Sequence, residues 1–242
     1  MNFVILARPK TGTTFLGRVL DCVTEGQFKK IDMDYKDFKR VYINKKHIIY
    51  LFAHPAIPAN KLSKFDKKIV FTRDVRDMLV SYYFHLKYRR DISRRTLQEI
   101  PEGMTIDEFC LRSLDEAIDN FYIKYDSCYD LLVRYEDLYS GGIQKLIDYL
   151  PIDCDRDKVS DCILLNNFDN MRNIELEGND KGELRKADSN NKESFKVRRG
   201  KIGGFVDYLS QDTIEKMNKH LCLYKLQKIL YRQKIYTILQ AC

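Results

Sequence analysis

The sequence predicts an α/β fold, a single domain over residues 1–242 in which a central parallel sheet is flanked by helices. Two observations lead there. Short apolar or β-branched runs recur at Phe3–Ala7, Ile48–Ala53, Ile69–Thr72 and Leu131–Tyr135, and the segments between them have room for helices. The first run also stops at Pro9 and restarts as a helix across a glycine, the way a strand passes through a tight turn into a helix. At 242 residues and 44% hydrophobic content, the chain can bury one full core.

Each element carries its own reason. The first strand delivers the chain to Arg8-Pro9-Lys10-Thr11-Gly12-Thr13-Thr14-Phe15, where Gly12 lets the backbone approach an anion. The free N–H groups of the helix that follows, Thr13–Val23, point at the same place with the positive end of the helix dipole behind them. Lys10 adds a full charge, so the turn is read as a phosphate site. Its lysine precedes the glycine, unlike the triphosphate-binding loop with lysine after glycine. The second strand ends near Leu51-Phe52-Ala53-His54-Pro55, which leaves a histidine at a strand end. The third runs into Arg73, and the helical spacing of Arg76–Tyr88 puts Ser81 eight residues on, so both can face one pocket as a second phosphate site. Taken alone, Arg73 serves equally well as an ion-pair partner of Asp74 or Asp77.

Farther along, Ile106, Phe109, Leu114, Ile118 and Phe121 return at helical intervals, which predicts a helix over Ile106–Tyr125. Later helices are expected at Ile143–Leu150, Val159–Leu165 and Gln211–Leu230. Between them, Arg172 to Val197 is dense in Asn, Asp, Lys, Glu and Gly. That composition predicts a mobile loop with almost nothing to give a core, closed by Arg198 and Arg199. In open α/β sheets the ligand lies beyond the carboxyl ends of the strands. The strand-end residues are therefore the candidates.

Taken together, these segments resemble the sulfotransferases that use 3'-phosphoadenosine 5'-phosphosulfate (PAPS), a family with a P-loop-like fold, over nearly the whole chain and in order. The turn at Lys10, Thr11, Gly12, Thr13, Thr14 and Phe15 is similar to the family's 5'-phosphosulfate loop. Arg73 through Ser81 resembles its 3'-phosphate element, and Leu132–Leu138 the segment that brings a tyrosine, here Tyr135, against adenine. Asn167, Phe168 and Met171 resemble the adenine-side wall, and Arg198-Arg199-Gly200 the basic loop that closes on the 3'-phosphate. The resemblance makes His54 the general base and Lys10 the group that meets charge as 3',5'-phosphoadenosine (PAP) leaves. An imidazole with an ordinary pKa near 6.5 suits proton removal at neutral pH.

Departures from the family pattern are Phe15 for a tryptophan, Arg199 for a lysine, and Phe52 where many members carry a lysine two residues before the histidine. The acceptor is expected to be a small molecule with a hydroxyl or amine. No metal is expected. Two other readings stand beside this one: a nucleotide-binding module with weak turnover, for which Phe52 argues, and a P-loop nucleotide kinase, which would need a lysine after Gly12.

Composition narrows the classes further. A net charge of +7 suits an anionic ligand and is too scattered for a nucleic-acid face. Seven dispersed cysteines with no C-x-x-C pair predict reduced core thiols, neither a zinc site nor disulfides. The absence of a signal segment and of a long apolar run predicts a cytoplasmic protein without membrane contact. The oligomeric state is left open.

Overall fold

The computed structural model describes residues 2–25, 29–30, 48–52, 62–63, 65–89, 99–119, 125, 129–150, 154, 156–178, 180, 184–185 and 188–224. Five strands, β1 (Asn2–Ala7), β2 (Lys29–Lys30), β3 (Ile48–Phe52), β4 (Lys67–Thr72) and β5 (Leu131–Arg134), form one sheet in the order β2-β3-β1-β4-β5. Every pairing is parallel. Such a sheet needs both faces covered. Along β1, Phe3, Ile5 and Ala7 join one core cluster, while Val4 and Leu6, on the other face, are equally sealed from solvent.

The helices supply that cover. These are α1 (Thr13–Val23), α2 (Val75–Tyr88), α3 (Ile106–Ala117), α4 (Gly142–Tyr149), α5 (Arg156–Leu165), α6 (Phe168–Glu177) and α7 (211–224). Helices α1 and α4 place Leu16, Val19, Leu20, Leu146 and Ile147 in the first cluster with the sheet. A second cluster joins α2 and α3 to Phe205, Leu209 and Met217. Local signals fix several helix starts. Asp74 caps α2 by accepting from the Arg76 N–H, and Thr105 with Glu108 forms a full capping box on α3.

Register sets the working edge. Ala7 pairs with Phe71 and Thr72 with Arg134, so the residues that next leave β1, β4 and β5 emerge side by side. Those residues are the Arg8 turn, Arg73 and Tyr135. β3 ends in step, with Phe52 opposite Leu6; His54, two residues on, lies outside the described residues. Among the described residues, no helix is long and apolar enough to cross a membrane.

Three expectations need correction. Cys22 on α1 and Cys162 on α5 form a disulfide, with Cα atoms 5.8 Å apart, where only reduced thiols were expected. Two isolated cysteines 140 residues apart carry no spacing signal, and only the packing of α1 on α5 brings them together. Cys110 does behave as a core thiol: it is fully buried, and burial pushes its pKa up to about 12. Second, the segment 172–197 gives more to the core than its composition suggests. Its first six residues end α6, and Glu175, Leu184, Phe195 and Val197 are buried. A single buried ion pair, described below, outweighs the polar average. Third, the helix expected over Ile106–Tyr125 gives way after Ala117 to a wider turn at 118–119, with 120–124 outside the described residues.

Candidate active site

The turn after β1 is shaped by its backbone. Lys10 has φ 73° and Gly12 φ 95°, two left-handed residues flanking Thr11. Thr11 is fully buried and closes the turn, its hydroxyl donating to the Arg8 carbonyl at 2.7 Å. Successive residues of alternating hand turn backbone N–H groups into one concavity, which suits an anion. Gly12 is also required by space: a Cβ there would lie 2.5 Å from the Tyr135 ring. Arg8 anchors the turn from behind by donating to the Glu116 and Ala117 carbonyls at the end of α3. Phe15 belongs to the core, with its ring 5.3 Å from that of Tyr139. Thr13 is buried and Thr14 half-buried at the start of α1.

Arg73 joins the strand ends. Its guanidinium donates to the Lys10 carbonyl at 3.2 Å and toward the Lys201 carbonyl at 3.5 Å, and lies 4.5 Å from the centre of the Tyr135 ring. It also pairs with Asp77 at 3.9 Å, so the ion-pair reading of this arginine holds as well. The Tyr135 hydroxyl reaches toward the Gly200 carbonyl at 3.5 Å. Gly200 in turn has φ 63° and lies so near Phe168 that a Cβ would meet that ring at 2.7 Å. Lys10, Gly12, Arg73, Tyr135, Phe168 and Gly200 therefore converge.

Other expected residues stand differently. Asn167 caps α6 by accepting from the Asn170 N–H, and Met171 is buried in the first core cluster. Arg198 is held by Glu193 at 2.8 Å and by the Tyr208 hydroxyl, with its guanidinium over the Phe84 ring. Arg199 pairs with Asp207 at 2.8 Å. Ser81 sits half-buried on α2.

Several contributions were not read from the sequence. Asp77, expected only as a partner of Arg73, is buried and accepts from the Gly203 and Phe205 N–H groups at 2.8 and 2.9 Å, and so ties the closing strap, residues 192–205, to α2. Burial raises its pKa while Arg73 pulls the other way. Arg89 pairs with Glu175 at 2.6 Å deep in the protein and also donates to the Ser194 and Arg185 carbonyls. Glu175 completes the strap by accepting from the N–H groups of Lys196 and Val197. Both fall in polar stretches, where nothing distinguishes a buried ion from a solvated one. Lys196 was also missed. Burial first, then the charges of Lys196, Arg89, Arg198 and Arg73, hold the Lys10 pKa well below the usual lysine range. So many cations around one lysine make a site that is short of negative charge.

The sulfotransferase-domain family profile matches residues 1–229. Among curated proteins, the chain is 24% identical over 254 residues to flavonol 3-sulfotransferase of Flaveria bidentis, covering 90% of this chain and 80% of the relative. It is 25% identical over 175 residues to human sulfotransferase 4A1, covering 63% and 60%. Its fold is similar to that of a mouse sulfotransferase solved with PAP, with a TM-score of 0.66 at 17% identity, covering 90% of this chain and 81% of the other. Retinol dehydratase, solved with androsterone and PAP, superposes with a TM-score of 0.63 at 15% identity, covering 90% and 78%. With the family profile running across nearly its whole length, the chain belongs to the sulfotransferase family.

Proposed function

We propose that the protein moves a sulfuryl group from PAPS to a hydroxyl or amine of a small-molecule acceptor, with His54 as general base. The observation that carries this reading is the convergence on Arg73, which spans from the Lys10 carbonyl to the Lys201 carbonyl across the face of Tyr135. The concave turn at Lys10–Thr14 would hold the 5'-phosphosulfate, Arg73 and Ser81 the 3'-phosphate, and Tyr135 with Phe168 the adenine, while Arg198, Arg199 and Gly200 close over it. Asn167 and Met171 would support that wall from behind. The crowding of cations at Lys10 is relieved by such a ligand, since PAPS brings negative charge at both ends.

The chemistry is a displacement at sulfur. His54 takes the acceptor's proton and the acceptor oxygen or nitrogen bonds to sulfur. The bond from sulfur to the bridging oxygen breaks, and its electron pair leaves with PAP. Lys10 and the N–H groups of the turn stand where that negative charge grows, as preorganised donors. Holding both partners in line supplies much of the remaining acceleration.

Two measurements test the reading. PAP should raise the melting temperature much more than ATP does, because only PAP offers a 3'-phosphate to Arg73 and Ser81. Equal shifts would remove the case for a PAPS site. His54→Ala should lower turnover about a hundredfold or more with PAP affinity nearly intact, whereas Lys10→Ala should impair both. Near-normal turnover in His54→Ala would place the base elsewhere.

A further inference from the structure

Asp77, Ser81, His85 and Arg89 follow one another at intervals of four on α2 and at its end, so they line a single face of the helix. The two outer members are fastened to the protein: Asp77 to the N–H groups of Gly203 and Phe205, Arg89 to Glu175 and the Ser194 carbonyl. Ser81 and His85 lie between them on that face. Ser81 is proposed above as a phosphate contact. His85 is not explained by the reaction as derived so far. Its Nδ1 is sealed from solvent and has no hydrogen-bond partner among the described residues. A buried polar atom left in that state is destabilising unless a ligand satisfies it.

The surroundings of His85 say what kind of ligand. Burial, then the charges of Lys10, Arg89 and Lys196, push its pKa down to about 2, so the imidazole is neutral at any ordinary pH. Tyr82 stacks near the ring on α2, and Glu175 acts from α6 through Arg89. The cations act from the turn after β1, from the end of α2 and from the closing strap. Arginine, and lysine in its charged form, have hydrogens to give and no lone pair to receive one. Near Lys10, where the sulfuryl group would be transferred, a neutral imidazole with its proton on Nε2 offers at Nδ1 the lone pair these cations lack.

We propose that His85 is a specificity residue for the acceptor: its Nδ1 receives a hydrogen bond from a second hydroxyl or N–H of the acceptor, so the protein selects molecules that carry a further donor beside the reacting one. The inference rests on the sulfotransfer reading and deepens it. A site built to hydrogen-bond a substrate group discriminates strongly against the analogue lacking it, because the site's own polar atom is then left unpaired. An anionic acceptor is a poorer match, since a neutral lone pair repels it.

The test uses the full chain, PAPS, and matched probes with and without the second hydroxyl: catechol against phenol, and 1,2-cyclohexanediol against cyclohexanol. Calorimetry with PAP is run alongside. Wild type should favour the diol of a pair by about tenfold or more in kcat/KM. His85→Phe should collapse that preference while binding PAP as wild type does. His85→Asn, whose amide oxygen falls near the place of Nδ1, should restore it; His85→Gln, which reaches farther, should not. Equal use of both members by wild type overturns the inference, as does a preference that survives His85→Phe, loss of PAP affinity in step with the preference, or PAP binding with no turnover of any probe. If His85→Phe fails to fold, the contrast between His85→Asn and His85→Gln decides. Failure of wild type to bind PAP at all defeats the sulfotransfer reading instead.

Discussion

The turn at residues 8–14 and the strap at residues 192–205 face each other, yet they take their shapes in different ways. The turn is curved from within, since Thr11 bonds back to Arg8, Leu16 bonds to Gly12 and two left-handed residues set the bend, and its remote tethers, Arg8 to α3 and Arg73 to the Lys10 carbonyl, only hold it in place. The strap is built from outside, by Asp77 and Arg89 on α2 and its end and by Glu175 and Arg172 on α6. Those partners lie 126, 105, 21 and 25 residues away in the chain. A self-made turn tolerates change at a distance. A borrowed shape fails when one remote partner is lost.

The largest effect should therefore come from Glu175, far from the strand ends. Removing one partner of a buried ion pair typically costs about 3–5 kcal/mol, because the other charge stays buried and unpaired. Glu175→Ala strands Arg89 and also two strap N–H groups. Its unfolding free energy, from denaturant titration, should fall by that order, and PAP affinity should fall with it as the strap loosens. Joining Arg89→Met to Glu175→Ala should recover only part of the loss, since the N–H groups of Lys196 and Val197 remain without their acceptor. Full recovery would mean the charge pair alone matters and the strap needs no carboxylate.

Gly12→Ala attacks the turn instead. A left-handed alanine costs about 1–2 kcal/mol, and forcing a methyl into a filled space about 1–3 more. Here the methyl would meet the Tyr135 ring at 2.5 Å. We expect a destabilisation of about 2–5 kcal/mol and loss of the PAP-induced melting shift. Hydrogen exchange at Lys196 and Val197 should stay slow. Fast exchange there would show that the two regions are not held independently.

The same contrast explains what could be read from the sequence. The turn was legible because its information is local: a lysine, a glycine and three threonines after an apolar strand. Arg73 and Tyr135 were legible because register places each directly after a strand. Glu175 and Arg89 were not, nor was the hold of Asp77 on the strap, since a charged residue in a polar stretch looks the same whether solvated or buried, and only its distant partners decide. The composition of 172–197 misled for that reason. The Cys22–Cys162 bridge was hidden likewise, by helices that meet only in the folded chain. His54 stays an expectation, being outside the described residues.

Asp77→Asn probes the strap more gently. One amide oxygen can replace one of two acceptors, so a single N–H, at Gly203 or Phe205, loses its partner and Arg73 loses a counter-charge. We expect a destabilisation of about 1–2 kcal/mol with faster hydrogen exchange at the affected N–H and no change at Thr11 or Leu16. Equal changes in both regions would break the comparison.

The smallest effect joins the two regions through charge. Lys10 in the turn is held below its usual pKa by burial first and then by cations, Lys196 and Arg198 of the strap among them. PAP cannot undo the burial, but its phosphates oppose the charge repulsion, so binding should raise the Lys10 pKa. A complex that binds more protons than its free parts forms with proton uptake, and its affinity rises as pH falls. The measurement is calorimetry of PAP binding in buffers of different ionisation enthalpy, stepped upward from about pH 8. Over that range the phosphates, whose second ionisation lies near pH 6, contribute little. Proton uptake is expected in wild type, smaller in Lys196→Ala and absent in Lys10→Ala. Uptake unchanged in Lys196→Ala would mean that strap and turn do not share their charge, whereas release in wild type would mean that the phosphates do not meet Lys10.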